Sequence, residues 1–276
     1  MVELSLSASL VVYKPDLVVL KRTLDELERA AKDAKNNYSI HTELTMVDNS
    51  CDKDWHERLL VWVNEHANEW SEWLIRVVQA QGNVGYGRGN NLVIAKAQSD
   101  YHLVINPDLF VGPDALLEAI NFMQSNLGVG LLTPAVFGEN GDRHFLCKQN
   151  PTLLIMFLRG FAPSWLKLIF KARLNIFEMR DHNYDSQIEG IQFPSGCFMF
   201  FRTSYLQQLQ GFDPRFFMYM EDADIGRRML EIARVVYVPT VRVVHKWARG
   251  SHGNWYLRWV TIKSSLMYWK KWGGVI

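Results

Sequence analysis

The stretch "FFMYMEDADIGRRM" at 216–229 sets three carboxylates, Glu221, Asp222 and Asp224, directly behind a run of aromatic and methionine side chains. An ionised carboxylate against apolar surface is costly unless it is paired, bound to a metal or used in chemistry. Ile225, Met229, Ile232 and Ala233 recur at helical spacing, which predicts a helix opening at Glu221. Acids in a first turn gain about 0.3–1 kcal/mol from the helix dipole, so a plain helix start is one reading of Glu221 and Asp222. Asp224 and Arg228, four residues apart, predict an ion pair on the helix surface. Neither effect accounts for "FFMYM", which would wall the acids in and raise their pKa, as a general base requires. Asp222 and Glu221 are therefore candidates for a catalytic site, with a helix start as the alternative.

Three further stretches bear polar groups at strand ends. In "VINPDLFVGPDAL", Pro107 ends a strand and leaves Asp108 projecting beside Asn106. One carboxylate, completed by phosphate oxygens and water, is a normal way to hold Mg²⁺ or Mn²⁺; the alternative is an ordinary turn residue. Asp114, after Gly112 and Pro113, reads as a helix cap. In "GNVGYGRGNN", Gly82, Gly85, Gly87 and Gly89 do not give G-x-G-x-x-G, so a dinucleotide fingerprint is a poor match. The glycines do allow a tight turn and close backbone approach to a ligand, flanked by Asn83, Asn90 and Asn91. Finally, "VRVVHKWARGSHGN" ends a strand at His245, with His252 seven residues on; a satisfied structural histidine is the competing reading.

The elements that must position these groups are legible from period and punctuation. Residues 4–13 read as a buried strand, and Pro15-Asp16 opens a helix with Leu17, Leu20, Leu24 and Leu27 on one face. "HTELTMVDNS" is a second strand ending at Asp48, followed by a helix over 55–70. "WLIRVVQ" and "YHLVIN" are the third and fourth strands. Strands alternating with helices predict an α/β fold with a mostly parallel, doubly wound sheet. In such sheets ligands sit beyond the carboxyl ends of the strands, which is where Tyr13, Asp48, the glycine loop and Asp108 all fall. Over 145–189, Trp165, Leu168, Ile169, Ala172 and Ile176 predict a basic amphipathic helix, with Lys167, Lys171 and Arg173 elsewhere around it. Such a helix either packs on the domain or lies on an anionic membrane surface, and the aromatic-basic C-terminal segment invites the same two readings.

Composition narrows the classes. The 276 residues are 48% hydrophobic and carry a formal charge of +1, which argues against nucleic acid as a partner. Cys51, Cys147 and Cys197 are odd in number and lack a CxxC pair, as expected in a reducing cytoplasm. The N-terminus has an acid at Glu3 and no basic region, so it reads as a strand rather than a signal peptide. No apolar run reaches the roughly 18 residues of a membrane span.

Taken in order, "VVYKPD", "VDNSCDKD", "GNVGYGRGNN", "NPDLFVGPDAL", "PSGCFMFFRTSYLQQLQGFDPRFFMYMEDADIGRRM" and "VVHKWARGSH" resemble the family 2 glycosyltransferases with a GT-A fold. The likeness is nearest to bacterial rhamnosyltransferases that extend lipid-linked O-antigen or other cell-surface polysaccharides, and it weakens over 145–189. It implies an inverting transfer from a nucleoside diphosphate sugar, dTDP-L-rhamnose before a UDP- or GDP-sugar, to a polyprenyl-diphosphate-linked saccharide. Residue by residue, the resemblance puts Tyr13 and Asp48 at the nucleoside, and Asn83, Gly85, Gly87 and Asn91 along the donor. Asn106 and Asp108 fall at the family's metal-binding D-x-D, whose first acid is Asn in this chain. Asp222 would be the base, Glu221 would orient the acceptor or the neighbouring loop, and His245 would bind the metal or the diphosphate. The implied division is a glycosyltransferase domain over 1–252, with a nucleotide-sugar half at 1–135, an acceptor half at 136–252 and a C-terminal helix at 253–276. The implied location is peripheral, on the cytoplasmic face of the cell membrane. A sugar nucleotidyltransferase is the rival enzyme, although "VVYKPDLVVLKR" lacks the expected glycine-rich loop. A non-catalytic sugar-nucleotide or glycan-binding module is the rival outside enzymes.

Overall fold

The computed structural model of the chain describes residues 3–160, 162–246 and 255–273; His252 and the rest of 247–254 lie outside it. Its sheet comprises β1 (Glu3–Val12), β2 (Ser39–Asp48), β3 (Leu74–Gln79), β4 (Tyr101–Ile105), β5 (Leu109–Val111), β6 (Val129–Phe137), β7 (Arg143–His144), β8 (Ile188–Glu189), β9 (Phe198–Arg202) and β10 (Arg234–His245). The order is β3-β2-β1-β4-β9-β6-β10-β5, with β7 on β6 and β8 on β10. β3, β2, β1 and β4 are mutually parallel, as the strand-helix alternation predicts. β9 enters antiparallel between β4 and β6, and β10 then runs parallel to β6.

The helices are α1 (Leu17–Asn37), α2 (Lys53–His66), α3 (Tyr86–Ile94), α4 (Ala115–Ser125), α5 (Leu153–Gly160), α6 (Ser164–Ile169), α7 (Lys171–Phe177), α8 (Thr203–Gln208), α9 (Glu221–Leu230) and α10 (Trp255–Trp272). α1 begins where Asp16 accepts a hydrogen bond from the Val18 amide at 2.9 Å. It buries Leu20, Leu24 and Leu27 against one face of the sheet, where Leu4, Leu6, Leu10 and α4 complete the core. β9 alternates between both layers. Phe198 and Phe200 join the α1 side, while Met199 and Phe201 join Phe212, Ile225 and Met229 on the other. A third core of Ile155, Phe177, Phe193, Phe216, Met220, Ala223 and Tyr268 lies under α5, α7 and α10.

Four expectations change. The helix read over 55–70 stops at His66, and a 3-10 turn, Ala67–Glu69, carries the chain on. Asp114 stands at the start of α4, but its side chain makes no capping bond. The helical period over 165–176 is carried by two short helices, α6 and α7, broken at Phe170, with α5 before them. Asp224 is fully buried instead of lying on a helix surface. Its carboxylate takes Arg228 Nε at 2.7 Å, as the spacing predicts, and also Lys271 Nζ at 2.6 Å and Trp272 Nε1 at 2.9 Å from α10.

Candidate active site

Pro107 separates β4 from β5, and β5 pairs antiparallel with β10 in a register that sets His245 opposite Leu109. This pairing brings together two residues 137 apart in sequence. His245 Nε2 stands 3.3 Å from Asp108 Oδ1, and the Lys246 amide donates to the Asp108 carbonyl at 3.0 Å. Both side chains open onto a cleft of about 1200 Å³, together with Tyr13, Asn106 and His144. Neighbouring ligands of an octahedral Mg²⁺ or Mn²⁺, each about 2.1 Å from the ion, lie about 3.0 Å apart. Asp108 and His245 therefore fit as two adjacent ligands, with water and diphosphate oxygens left to complete the shell. Among the described residues, no group of three or more His, Cys, Asp or Glu side chains gathers as a protein-only metal site.

The second cavity, about 370 Å³, contains the acid pair. Tyr86, Asn106 and His245 line both cavities, so the Asp108 cleft and the Asp222 pocket meet across three side chains. α9 starts abruptly: Tyr219 and Met220 take left-handed φ values of 67° and 66° just ahead of Glu221. Such conformations cost a non-glycine residue about 1–3 kcal/mol and persist where surroundings over-determine them. Those surroundings include the Ser264 hydroxyl of α10, which donates to the Met218 carbonyl at 2.8 Å, and Met220 itself in the third core. Gly226 lets α9 come close to the loop ahead of β9, since a Cβ there would stand 2.4 Å from Pro194 and 2.7 Å from the Gln192 carbonyl. That approach puts the Gly196 amide 3.2 Å from Asp222 Oδ2, which accepts its hydrogen bond.

Asp222 also accepts from the Ala223 amide at 3.0 Å. Burial raises its pKa, while the Lys148 charge and these amides act against the rise. Glu221 is 5% exposed, and its Oε2 has no hydrogen-bond partner among the described residues. Burial, reinforced by the Asp222 charge, pushes its carboxyl up to about 8. Burial thus favours the protonated form of Glu221, beside an Asp222 whose own pKa burial raises and whose charged form Lys148 and two amides favour. This arrangement can accept a proton at Asp222 while a charged group occupies the adjoining cleft.

The structure brings together Tyr13, Asn106, Asp108 and His245 in one cavity, and Asn106, His245, Glu221 and Asp222 in the other. The remaining candidates line neither cavity, although Gly87 lies against Glu221. Asp48 is fully buried, with Oδ1 accepting from the Ser50 amide at 2.9 Å and Oδ2 3.0 Å from His56 Nδ1. Asn83, Gly85, Gly87 and Asn91 line neither cavity. Their loop packs on the segment leading to α9: Gly85 has φ 86°, and a Cβ there would meet the Phe217 carbonyl. A Cβ on Gly87 would press on Phe212, whose amide and carbonyl are both bonded by Asn91. The loop serves the site through Tyr86, which no sequence motif singled out. Its hydroxyl donates to the Gly196 carbonyl at 2.6 Å, one residue's amide away from Asp222. Lys148 is the other residue missed; it lies in an irregular stretch with no period to flag it.

A family model described as "Glycosyl transferase family 2" matches residues 17–210. The chain is 29% identical over 192 residues to "N-acetylglucosaminyl-diphospho-decaprenol L-rhamnosyltransferase" of Mycobacterium tuberculosis, covering 64% of this chain and 60% of that protein. It is 28% identical over 174 residues to "Rhamnosyltransferase WbbL" of Escherichia coli, covering 59% and 61%. The chain thus spans about 60% of the length of these relatives. Among solved structures, the mannosyltransferase PcManGT from Pyrobaculum calidifontis, in complex with GDP-Man and Mn²⁺, has a TM-score of 0.62 at 13% identity, covering 98% of this chain and 64% of that one. The shared architecture is the GT-A fold.

Proposed function

This chain belongs to glycosyl transferase family 2 and is related to rhamnosyltransferases, and from that premise we propose that it transfers L-rhamnose from dTDP-L-rhamnose to a hydroxyl of a polyprenyl-diphosphate-linked saccharide. The product would extend an O-antigen or another cell-surface polysaccharide. The single observation that carries this reading is the junction of the Asp108–His245 cleft with the Asp222 pocket across Tyr86, Asn106 and His245. An inverting displacement needs the acceptor and the leaving diphosphate on opposite sides of one anomeric carbon, and two cavities sharing a wall supply such a place.

In this reading Tyr13 flanks the nucleoside at the cleft mouth, and Asp108 with His245 holds Mg²⁺ or Mn²⁺. The bound ion would supply charge neutralisation for the departing diphosphate. Asp222 takes the acceptor hydroxyl's proton as that oxygen bonds the anomeric carbon and the bond to the nucleoside diphosphate breaks. Glu221, whose protonated form burial favours, stands beside it. The Mn²⁺ and GDP-Man named for PcManGT, and the lipid-linked diphosphate in the Mycobacterium relative's name, support the choice of ligand classes.

We place the protein peripherally on the cytoplasmic membrane face. No described helix is long and apolar enough to cross a membrane, while Trp165, Leu168 and Ile169 are 64%, 70% and 68% exposed beside Lys167 and Lys171. A panel of sugar nucleotides with and without Mn²⁺, read by thermal shift and by sugar transfer, tests donor and metal together. Selective stabilisation by dTDP-L-rhamnose is expected. Equal response to UDP- and GDP-sugars overturns the donor assignment.

A further inference from the structure

A third cavity, about 410 Å³, opens between α5, α6, α7 and the turn after them. Its walls carry four cations, Arg159, Lys167, Lys171 and Arg180, against one carboxylate, Glu178. Glu178 is spent on two of them, 2.8 Å from Arg159 and 2.7 Å from Arg180. Lys167 donates to the Arg159 carbonyl at 3.4 Å, which holds α6 against the end of α5. The cavity therefore keeps an excess of positive charge that nothing in its walls neutralises, and it suits a polyanion.

Its position gives the anion an identity. Arg159 lines both this cavity and the Asp222 pocket, stacking over Phe177 in the wall between them. Lys148 lines the Asp222 pocket together with Arg159. Cations therefore continue from the Asp222 pocket, through the shared Arg159, into the basic cavity. Trp165, Leu168 and Ile169, all exposed, share α6 with Lys167 of the cavity wall. A saccharide with its hydroxyl at Asp222, a diphosphate on its reducing end and a lipid attached to that has a partner for each part among these groups.

We propose that Arg159, Lys167, Lys171 and Arg180 form a binding site for the diphosphate of the lipid-linked acceptor. The assignment rests on the acceptor class proposed above. It makes α5–α7 the segment that tells a diphosphate-linked saccharide from a free one.

The test is a titration of wild type, Lys167→Ala/Lys171→Ala and Lys167→Arg/Lys171→Arg with hexadecyl diphosphate in micelles of a non-ionic detergent. Lys167 and Lys171 line neither of the other two cavities, so their loss leaves the chemistry in place. The alanine pair should bind at least about tenfold more weakly, and the arginine pair should recover most of the loss. In turnover, the KM for a diphosphate-linked saccharide should rise by the same factor, with kcat and donor affinity unchanged and no effect on an uncharged alkyl glycoside. Equal binding by the alanine pair, with transfer intact, overturns the pocket alone. A loss confined to phosphatidylglycerol vesicles, with micellar binding unchanged, also overturns it and assigns the cations to lipid headgroups. Absence of transfer to any diphosphate-linked saccharide by the wild type overturns the functional reading, and the acceptor assignment with it, whatever the titration gives.

Discussion

Replacing Glu221 by Gln should change how stability depends on pH. The carboxyl is 5% exposed and its Oε2 lacks a partner among the described residues, so ionising it in place is costly. Its pKa rises from an ordinary 4.5 to about 8, first through burial and then through the Asp222 charge. Between those values the native state keeps a proton that the unfolded chain has released. More protons bound to the native state means that stability falls as pH rises, by up to about 1.4 kcal/mol per unit. From pH 5 to pH 8 that amounts to at most about 4 kcal/mol for this one group. Gln carries no titrating proton, so whatever its fixed cost, that slope disappears. Asp222 is also shifted upward and interacts with Glu221, so the difference between the two proteins reports the proton uptake that the pair loses when position 221 no longer titrates. Urea unfolding at pH 5, 6, 7 and 8 should show the gap moving in the variant's favour by at least about 2 kcal/mol across the range. Parallel pH profiles would refute the claim that Glu221 is held neutral.

Three other outcomes follow from the same contacts. Asp224→Ala leaves Arg228 and Lys271 without their shared buried partner, although Lys271 keeps Asp213 at 2.8 Å and Arg228 keeps the carbonyls of Leu209 and Gly211. A loss of about 3 kcal/mol in denaturant unfolding is expected, and less than about 1 kcal/mol would show that the α9–α10 tie is weak. Asp108→Ala should weaken donor binding about tenfold or more in calorimetry, with EDTA doing the same to wild type and adding nothing to the variant; a wild type indifferent to EDTA removes the metal. Trp165→Ser with Leu168→Ser should cut co-sedimentation with anionic vesicles by about tenfold or more, and salt should weaken what remains; unchanged sedimentation detaches α6 from the membrane.

What the sequence disclosed, and what it concealed, divides along a physical line. β2, α1 and α9 are legible because each buries one face and so carries its period in the chain, and β1 because it alternates and then turns continuously apolar, as a strand buried on both faces does. Asp108 and His245 were legible as strand ends, yet their proximity depends on the β5–β10 register, which no local pattern encodes. Asp48 stood at the right strand end, but His56, on the first turns of the next helix, turns its carboxylate inward. The glycine loop reads as a ligand cradle because close backbone approach serves ligand binding and packing alike; in the fold Gly85 and Gly87 approach Phe217 and Phe212, and Gly89 approaches Val11. The period over 165–176 survives a break at Phe170 because two short helices in succession preserve it. The i, i+4 spacing puts Asp224 on a surface because its partners Lys271 and Trp272 lie nearly fifty residues away, on a helix whose docking site the sequence does not mark.

We propose that Asp222 takes the proton from the attacking hydroxyl. Its most direct test is Asp222→Asn, assayed for sugar transfer and, separately, for donor affinity by calorimetry. The amide keeps the shape of the pocket and an oxygen for the Gly196 amide, while removing the basic carboxylate. Transfer should fall by about 10²–10⁴-fold with donor affinity within about twofold of wild type. Transfer at the wild-type rate, or a fall matched by lost donor binding, would contradict the account.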